Sequence, residues 1–363
     1  MKTFNERLRV IWAIASKDFL DAFKNRTILS QFLTVLFLVV VYRFLPEFES
    51  KDVLPRLAVY DQGRSQWVVR WEGNQDFDLI RAETQESMER YIADKDFAIL
   101  GLVLPADFDQ MVERGGIMLD GYVVHWAFKR DVDQVVAFFE RELSNSVGQT
   151  LSISLEGHTV HTQMDSRGYA FLGGVSVVFA AAIGSMLIVP HMMIDEKQTR
   201  TIDALMVSPA TFTEMMIAKA IAGSIFALLG GAIALVVHAV LVNHWWLAIL
   251  ALVSGSFFFV AVGLLLGSVL DQKQQMTLWG FVLTIFVLLP AFLSLMEGLL
   301  IDEVMVILQW APSVAILNLS RLSFTDQVAL PTLGLELVKV LGWALVCHAV
   351  IQVVLRKRED HHA

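Results

Sequence analysis

Long apolar runs separated by short polar connectors make up most of this chain, and a single polar stretch of about a third of its length interrupts them near the start. The apolar runs fall at 28–45, 169–190, 215–242, 247–270, 276–296 and 333–355. Each is close to the ~20 residues a helix needs to cross the hydrocarbon core of a bilayer. Near-continuous apolarity over that length predicts six membrane-spanning helices.

The first 27 residues follow a different period. Phe4, Leu8, Ile11, Trp12, Ala15, Phe19 and Phe23 recur at helical spacing, with Glu6, Arg7, Arg9, Lys17, Asp18 and Asp21 largely on the other side. Residues 1–27 therefore read as an amphipathic helix in the membrane interface, with Trp12 as one anchor and Arg26, at the mouth of the first span, as another.

Residues 46–167 are polar enough to face water. Strands are expected at 56–60, where the run ends in the turn Asp61-Gln62-Gly63, and at 77–80, 97–104 and 122–128. Helices are expected at 84–93, from Pro105 to the Gly115-Gly116 stop, and from Asp131 onward toward the membrane. This alternation predicts a small α/β domain.

Residues 168–356 hold helices 2 to 6 of the membrane domain. Within them, 191–214 is a long charged loop, and 297–332 has apolar pieces too short to span, broken at Pro312 and Pro331, that suit short helices in the outer leaflet. Trp245 and Trp246 follow the third span as an aromatic belt. Residues 357–363 form a tail. The fold class is thus an α-helical polytopic membrane protein, with six transmembrane helices and an inserted extracytoplasmic α/β domain.

Charge orients this plan. Lys2, Arg7, Arg9, Lys17, Lys24, Arg26, Lys197, Arg200, Lys219, Lys273 and Arg356 to Arg358 cluster on one set of connectors, while the opposite set after the second span holds only Arg321. Basic residues in short connectors mark the cytoplasmic side, which places both termini and 191–214 inside and 46–167 outside.

Composition agrees with a membrane protein: 55% hydrophobic, 18% charged and a mean hydropathy of +0.57. The net charge of −9 is local, because residues 46–167 carry 22 acidic against 12 basic side chains. No basic surface points to nucleic acid. The lone Cys347 excludes a disulfide framework, and His125, His158 and His161 lack carboxylate or cysteine spacing for a metal. No G-x-x-x-x-G-K-[ST] segment occurs, so the chain has no phosphate-cradling loop of that kind, and no nucleophile or paired acids suggest an enzyme.

Few charges fall within the spans, which argues against a carrier driven by protons or sodium. Glu336 and Lys339 lie three apart on one helix face and can pair, and Arg43 can reach out of its span. Gly173, Gly174, Gly184, Gly230, Gly231, Gly263 and Gly267 suggest close helix packing.

The charged loop, read with this topology, resembles that of the transmembrane subunit of ABC-2 type exporters, in the branch with a large extracytoplasmic loop. There the loop carries a pattern like E-x-E-x-G-T, then a Leu, a Ser/Thr-Pro and a Lys entering the third span. Glu196, Thr201, Leu205, Ser208, Pro209 and Lys219 fill those places, while Gln198 stands where a second acid is usual and Arg200 where Gly is usual. The AVYDQG turn and the ILGLVLPADF unit of the α/β domain also look like that branch.

The resemblance implies a permease in the plasma (inner) membrane that exports amphipathic or drug-like compounds. Its partners would be cytoplasmic ABC ATPase subunits and a second permease subunit, as a homodimer or a paralogous heterodimer, with a periplasmic adaptor as a further partner. No cofactor would bind directly, ATP acting through the ATPase subunits. Glu196, Lys197, Arg200, Thr201, Leu205, Ser208 and Pro209 would couple the loop to the ATPase. Two alternatives stay open: an ordinary solvated loop, and a membrane-anchored receptor or envelope assembly scaffold whose outer domain binds a ligand.

Overall fold

The structure, a computed structural model, describes residues 3–49, 54–95, 99–198, 211–296 and 300–362. Its first helix, α1 (Phe4–Lys24), opens on a capping box in which Thr3 Oγ1 accepts from Glu6 N at 3.4 Å and Thr3 N donates to Glu6 Oε2 at 2.8 Å. Asn25 then separates two helices. Its extended backbone closes α1, and its Oδ1 accepts from Thr27 N at 3.0 Å to start α2 (Arg26–Glu49), whose residues 26–44 are the first apolar span.

The α1 helix packs against the spans. Ile11, Ile14, Ala15 and Ala22 are buried against Ala218, Ala222 and Phe226 of the third span, and Phe19 and Phe23 stack on Phe226 at 5.2 and 5.3 Å. Phe4, Leu8 and Trp12 stay exposed. The apolar stripe read from the sequence is therefore split between a packed face and an open one.

Between the first and second spans lies a unit that, among the described residues, holds six strands and four helices: β1 (Arg56–Asp61), α3 (Gln66–Trp71), β2 (Asp78–Ala82), α4 (Gln85–Ala93), β3 (Leu100–Leu104), α5 (Phe108–Arg114), β4 (Ile117–Val124), α6 (Lys129–Val147), β5 (Leu151–Ser154) and β6 (Thr159–Val160). The sheet runs β2-β1-β3-β4-β5, with β6 pairing β4. Strand β1 is parallel to β2 and β3, β4 is antiparallel to β3, and β5 and β6 are parallel to β4. One core, with Trp71, Phe77, Phe108, Phe139 and Leu143, fills the sheet face under α3, α5 and α6.

Several details differ from the sequence reading: it holds no helix at α3, and α5 begins at Phe108 behind Asp107 instead of at Pro105. β4 begins directly after Gly115 and Gly116, whose φ of 82° and 71° is easily adopted only by glycine. The helix from residue 129 stops at Gly148, a left-handed cap at φ 77°, so the chain returns to the membrane through β5 and β6 instead of running on as a helix.

The second span is one apolar stretch, Tyr169–Gln198, built from α7 (Tyr169–Met186) and α8 (Ile188–Gln198). Pro190 does not end it, because it sits in the first turn of α8, where a missing N–H costs no helical bond. The charged stretch 191–214 thus begins as helix. Helices α9 (Phe212–Val237), α10 (Trp245–Val269) and α11 (Lys273–Leu293) form spans 3 to 5. Then α12 (Asp302–Leu308) and α13 (Pro312–Leu322) meet at 79°, and α14 (Leu330–His362) carries the sixth span as far as Val354. All six apolar runs read from the sequence are such helices. The α13 helix is buried among the spans, whereas α12 has no buried residue.

Spans 2 and 3 cross on a reciprocal pair of glycines. A Cβ on Gly184 would stand 3.0 Å from Phe226 O, and one on Gly230 would stand 3.0 Å from Ala180 O. Backbone meets backbone there, the close approach that small residues permit between membrane helices.

Candidate functional site

At the end of the spans away from the sheet, four pieces of chain bring charged side chains together. The α1 helix supplies Lys17, Asp18 and Asp21, the last turns of span 2 supply Asp195, Glu196 and Lys197, the start of span 3 supplies Lys219, and the connection between spans 4 and 5 supplies Asp271 and Lys273.

Lys219 is the centre. Its Nζ lies 2.6 Å from Glu196 Oε2 and 3.2 Å from Asp18 Oδ2, and all three residues are buried. Lys17 approaches the same carboxylates from the rim, 3.8 Å from Glu196 and 4.0 Å from Asp18. A buried ammonium is tolerated only when paired, so this contact ties α1, span 2 and span 3 together. Burial pushes the Asp18 carboxyl above the ordinary aspartate value, against the opposing pull of Lys219.

Two further ties close the same end. Lys197 Nζ donates to the carbonyls of Gly267 and Leu270 at 2.8 Å each and pairs with Asp271 at 2.8 Å. The last carbonyls of span 4 have no partner within their own helix, and a lysine there satisfies them and suits the negative end of the helix dipole. Asp195 pairs with Lys273 at 2.6 Å and accepts from Asn25 Nδ2 at 3.0 Å. A cavity of about 170 Å³ lies beside these residues, lined by Lys17, Asp18, Asp21, Asn25, Met192 and Glu196 among others.

Of the sequence-predicted coupling residues, Glu196 and Lys197 belong to this cluster. Arg200, Thr201, Leu205, Ser208 and Pro209 lie outside the described residues. Trp12 is exposed on α1, Arg26 is exposed at the first residue of α2, and Trp245 and Trp246 are exposed at the first residues of span 4. Glu336 and Lys339 do pair, at 3.0 Å and buried, and Lys339 also donates to Gln309 O at 3.0 Å, joining span 6 to the end of α12.

The sequence reading placed Asp18 on the polar side of α1. It lies instead in line with Ile11, Ile14, Ala15 and Ala22 on the buried face. A carboxylate within an apolar i, i+3, i+4 series was the available signal, and it asks for a buried cation. Asn25, Asp195 and Lys273 carried no such mark.

The cluster offers ion pairs and helix caps, with no activated nucleophile among them, and among the described residues no group of three or more His, Cys, Asp or Glu could hold a metal ion. Its arrangement suits the transfer of force between helices. No curated protein matches the chain. A family model described as ABC-2 family transporter protein matches residues 26–354, from the first residue of α2 to the end of the sixth apolar span. With six apolar spans in that range and most of the chain matched, this membrane protein belongs to the ABC-2 transporter family.

Proposed function

We propose that this chain is the transmembrane subunit of an ATP-driven exporter that moves amphipathic or drug-like compounds out of the cytoplasm or the inner membrane. Separate ATPase subunits bind and hydrolyse the ATP. The observation that carries this reading is the contact of Lys219 with Glu196 and Asp18, which joins α1 to the helices on both sides of residues 199–210. Force applied to that connection reaches three membrane elements at once.

In this reading the 191–214 stretch, both chain ends and α1 face the cytoplasm, and the α/β unit is extracytoplasmic. The bias of basic residues toward those connectors supports it. Glu196, Lys197, Arg200, Thr201, Leu205, Ser208 and Pro209 are the contact to the ATPase. A second permease, identical or paralogous, completes the path, and a periplasmic adaptor is a further partner for the α/β unit.

The test is to express the chain with the reading frames adjacent to its own, purify it, and place it in proteoliposomes with an amphipathic dye. Co-purification of an ATPase and ATP-dependent dye movement is the expected result. Absence of any nucleotide-binding partner together with dye movement indifferent to ATP would overturn the proposal.

A further inference from the structure

Where the α/β unit meets the spans, two imidazoles stack on each other, with ring centroids 4.9 Å apart and planes 21° apart. They belong to His125, one residue past β4, and His161, one residue past β6. Three pieces of chain meet around them: the unit itself, the connection between spans 3 and 4, and the segment that follows α13. The backbone N–H groups of Asn243 and His244 both donate to Ser323 O at 2.9 Å, and Thr162 Oγ1 donates to Phe324 O at 3.0 Å.

The hydrogen bonds determine where the ring protons are. Asn243 Nδ2 lies 2.8 Å from Phe324 O, which can only accept, so that atom is the amide nitrogen and donates. The same nitrogen lies 3.1 Å from His161 Nδ1, which must therefore accept and carry no proton. His125 Nε2 lies 3.3 Å from Leu241 O, so Nε2 carries the proton of that ring. His125 Nδ1 is then bare, and it is buried without a hydrogen-bond partner.

We propose that His125 and His161 form a proton-binding site that holds the α/β unit to the connection between spans 3 and 4 while both rings are neutral, and releases it on acidification. A proton on His161 Nδ1 turns an acceptor into a donor facing the Asn243 N–H. A proton on His125 Nδ1 puts a charge on a ring that is largely buried. Two protonated rings would stack as like charges, which disfavours taking up the second proton.

The groups facing the pair come from each element around it. Burial holds His125 below the ordinary histidine range, and His161 pushes the same way, against the backbone carbonyls of Leu241 and Val160 and the weaker pull of Asp326, after α13. His244, from the connection between spans 3 and 4, donates Nε2 to Asp326 O at 2.9 Å, a bond that survives protonation of that ring. His158 stands 3.7 Å from Asp120.

The latch does not depend on the direction of transport, or on transport at all, and its test is read on the full chain alone in lipid nanodiscs. Hydrogen exchange of the Asn243 side-chain amide, whose nitrogen faces His161 Nδ1 at 3.1 Å, is corrected for its intrinsic rate and followed from about pH 7.5 to about pH 5.5, the range in which histidines titrate. In the unaltered protein, protection is expected to fall by up to about tenfold per pH unit for each proton taken up on opening. In the double variant H125Q/H161Q it should stay level. Protection that does not change in the unaltered protein, or that falls equally in the double variant, would overturn the proposal.

Should the double variant fail to fold, histidine-labelled NMR of the unaltered protein decides. The expected result is that titration of the pair moves the Asn243 side-chain amide, with the two rings taking up protons together as the contact opens. Titration of the rings without any change at Asn243 would exclude the latch.

Discussion

Lys219 Nζ stands 2.6 Å from Glu196 Oε2, with the lysine side chain 1% exposed, so the third span begins with a buried cation held by the end of the second. Replacement by methionine leaves Glu196 and Asp18 facing each other, with Lys17 at the rim near both. Breaking one side of a buried ion pair costs about 3–5 kcal/mol. Lys219→Met is expected to lower the thermal unfolding midpoint in detergent sharply, and Lys219→Arg much less. A midpoint that does not move in Lys219→Met would show that the contact is not a structural tie.

Lys197 acts on a different helix. Its contacts to the carbonyls of Gly267 and Leu270 close the end of span 4. Each net hydrogen bond is worth about 1 kcal/mol. Lys197→Met should speed hydrogen exchange in the last turn of span 4 and leave the middle of that helix unchanged. Equal exchange in both proteins would mean that water satisfies those carbonyls as well as lysine does.

The crossing of spans 2 and 3 predicts a contrast between two glycines. At Gly230 an added Cβ meets the backbone oxygen of Ala180 at 3.0 Å, whereas at Gly342 nothing lies within 4 Å. Overpacking of this kind costs about 1–3 kcal/mol. Gly230→Leu should reduce the yield of folded protein on size-exclusion chromatography, and Gly342→Ala should not. Similar yields from both would contradict the close crossing.

Asp18 makes stability depend on pH. Its carboxyl is raised above the ordinary aspartate value of 3.8, chiefly by burial. A group with a raised folded value contributes stability below its unfolded value and loses that contribution as pH rises through the folded one. Unfolding midpoints of the unaltered protein and of Asp18→Asn, compared between about pH 4 and about pH 7, should therefore diverge. Relative to the variant, the unaltered protein loses ground as pH rises. A constant difference across that range would mean Asp18 keeps its ordinary value.

Much of the membrane fold is legible in the sequence, because a bilayer sets a fixed length and admits few polar groups, so each span declares itself as an uninterrupted apolar run. The α/β unit is partly legible for a related reason: Thr84 marks a helix start and the Gly115-Gly116 pair a helix stop through local backbone chemistry. What comes after Gly148 is not, since β5 and β6 are short and gain their place only from pairing with β4. The site is less legible still. Glu196 and Lys197 stand out as charges beside a span, yet their partners are far away in the chain: Asp18 meets Lys219 across 201 positions, and Lys197 meets Gly267 across 70.

The sequence by itself determined the six spans, the polar unit between the first two, and the family resemblance of the charged stretch, because length, periodicity and local order suffice for these. The tertiary structure alone decided that this stretch begins as a continuation of span 2, that α1 is packed against span 3, and that Asp18, Glu196 and Lys219 share one buried site. The physical reason is that a buried charge is acceptable only where a counter-charge from another helix reaches it, and which helices meet is set by packing over the whole chain.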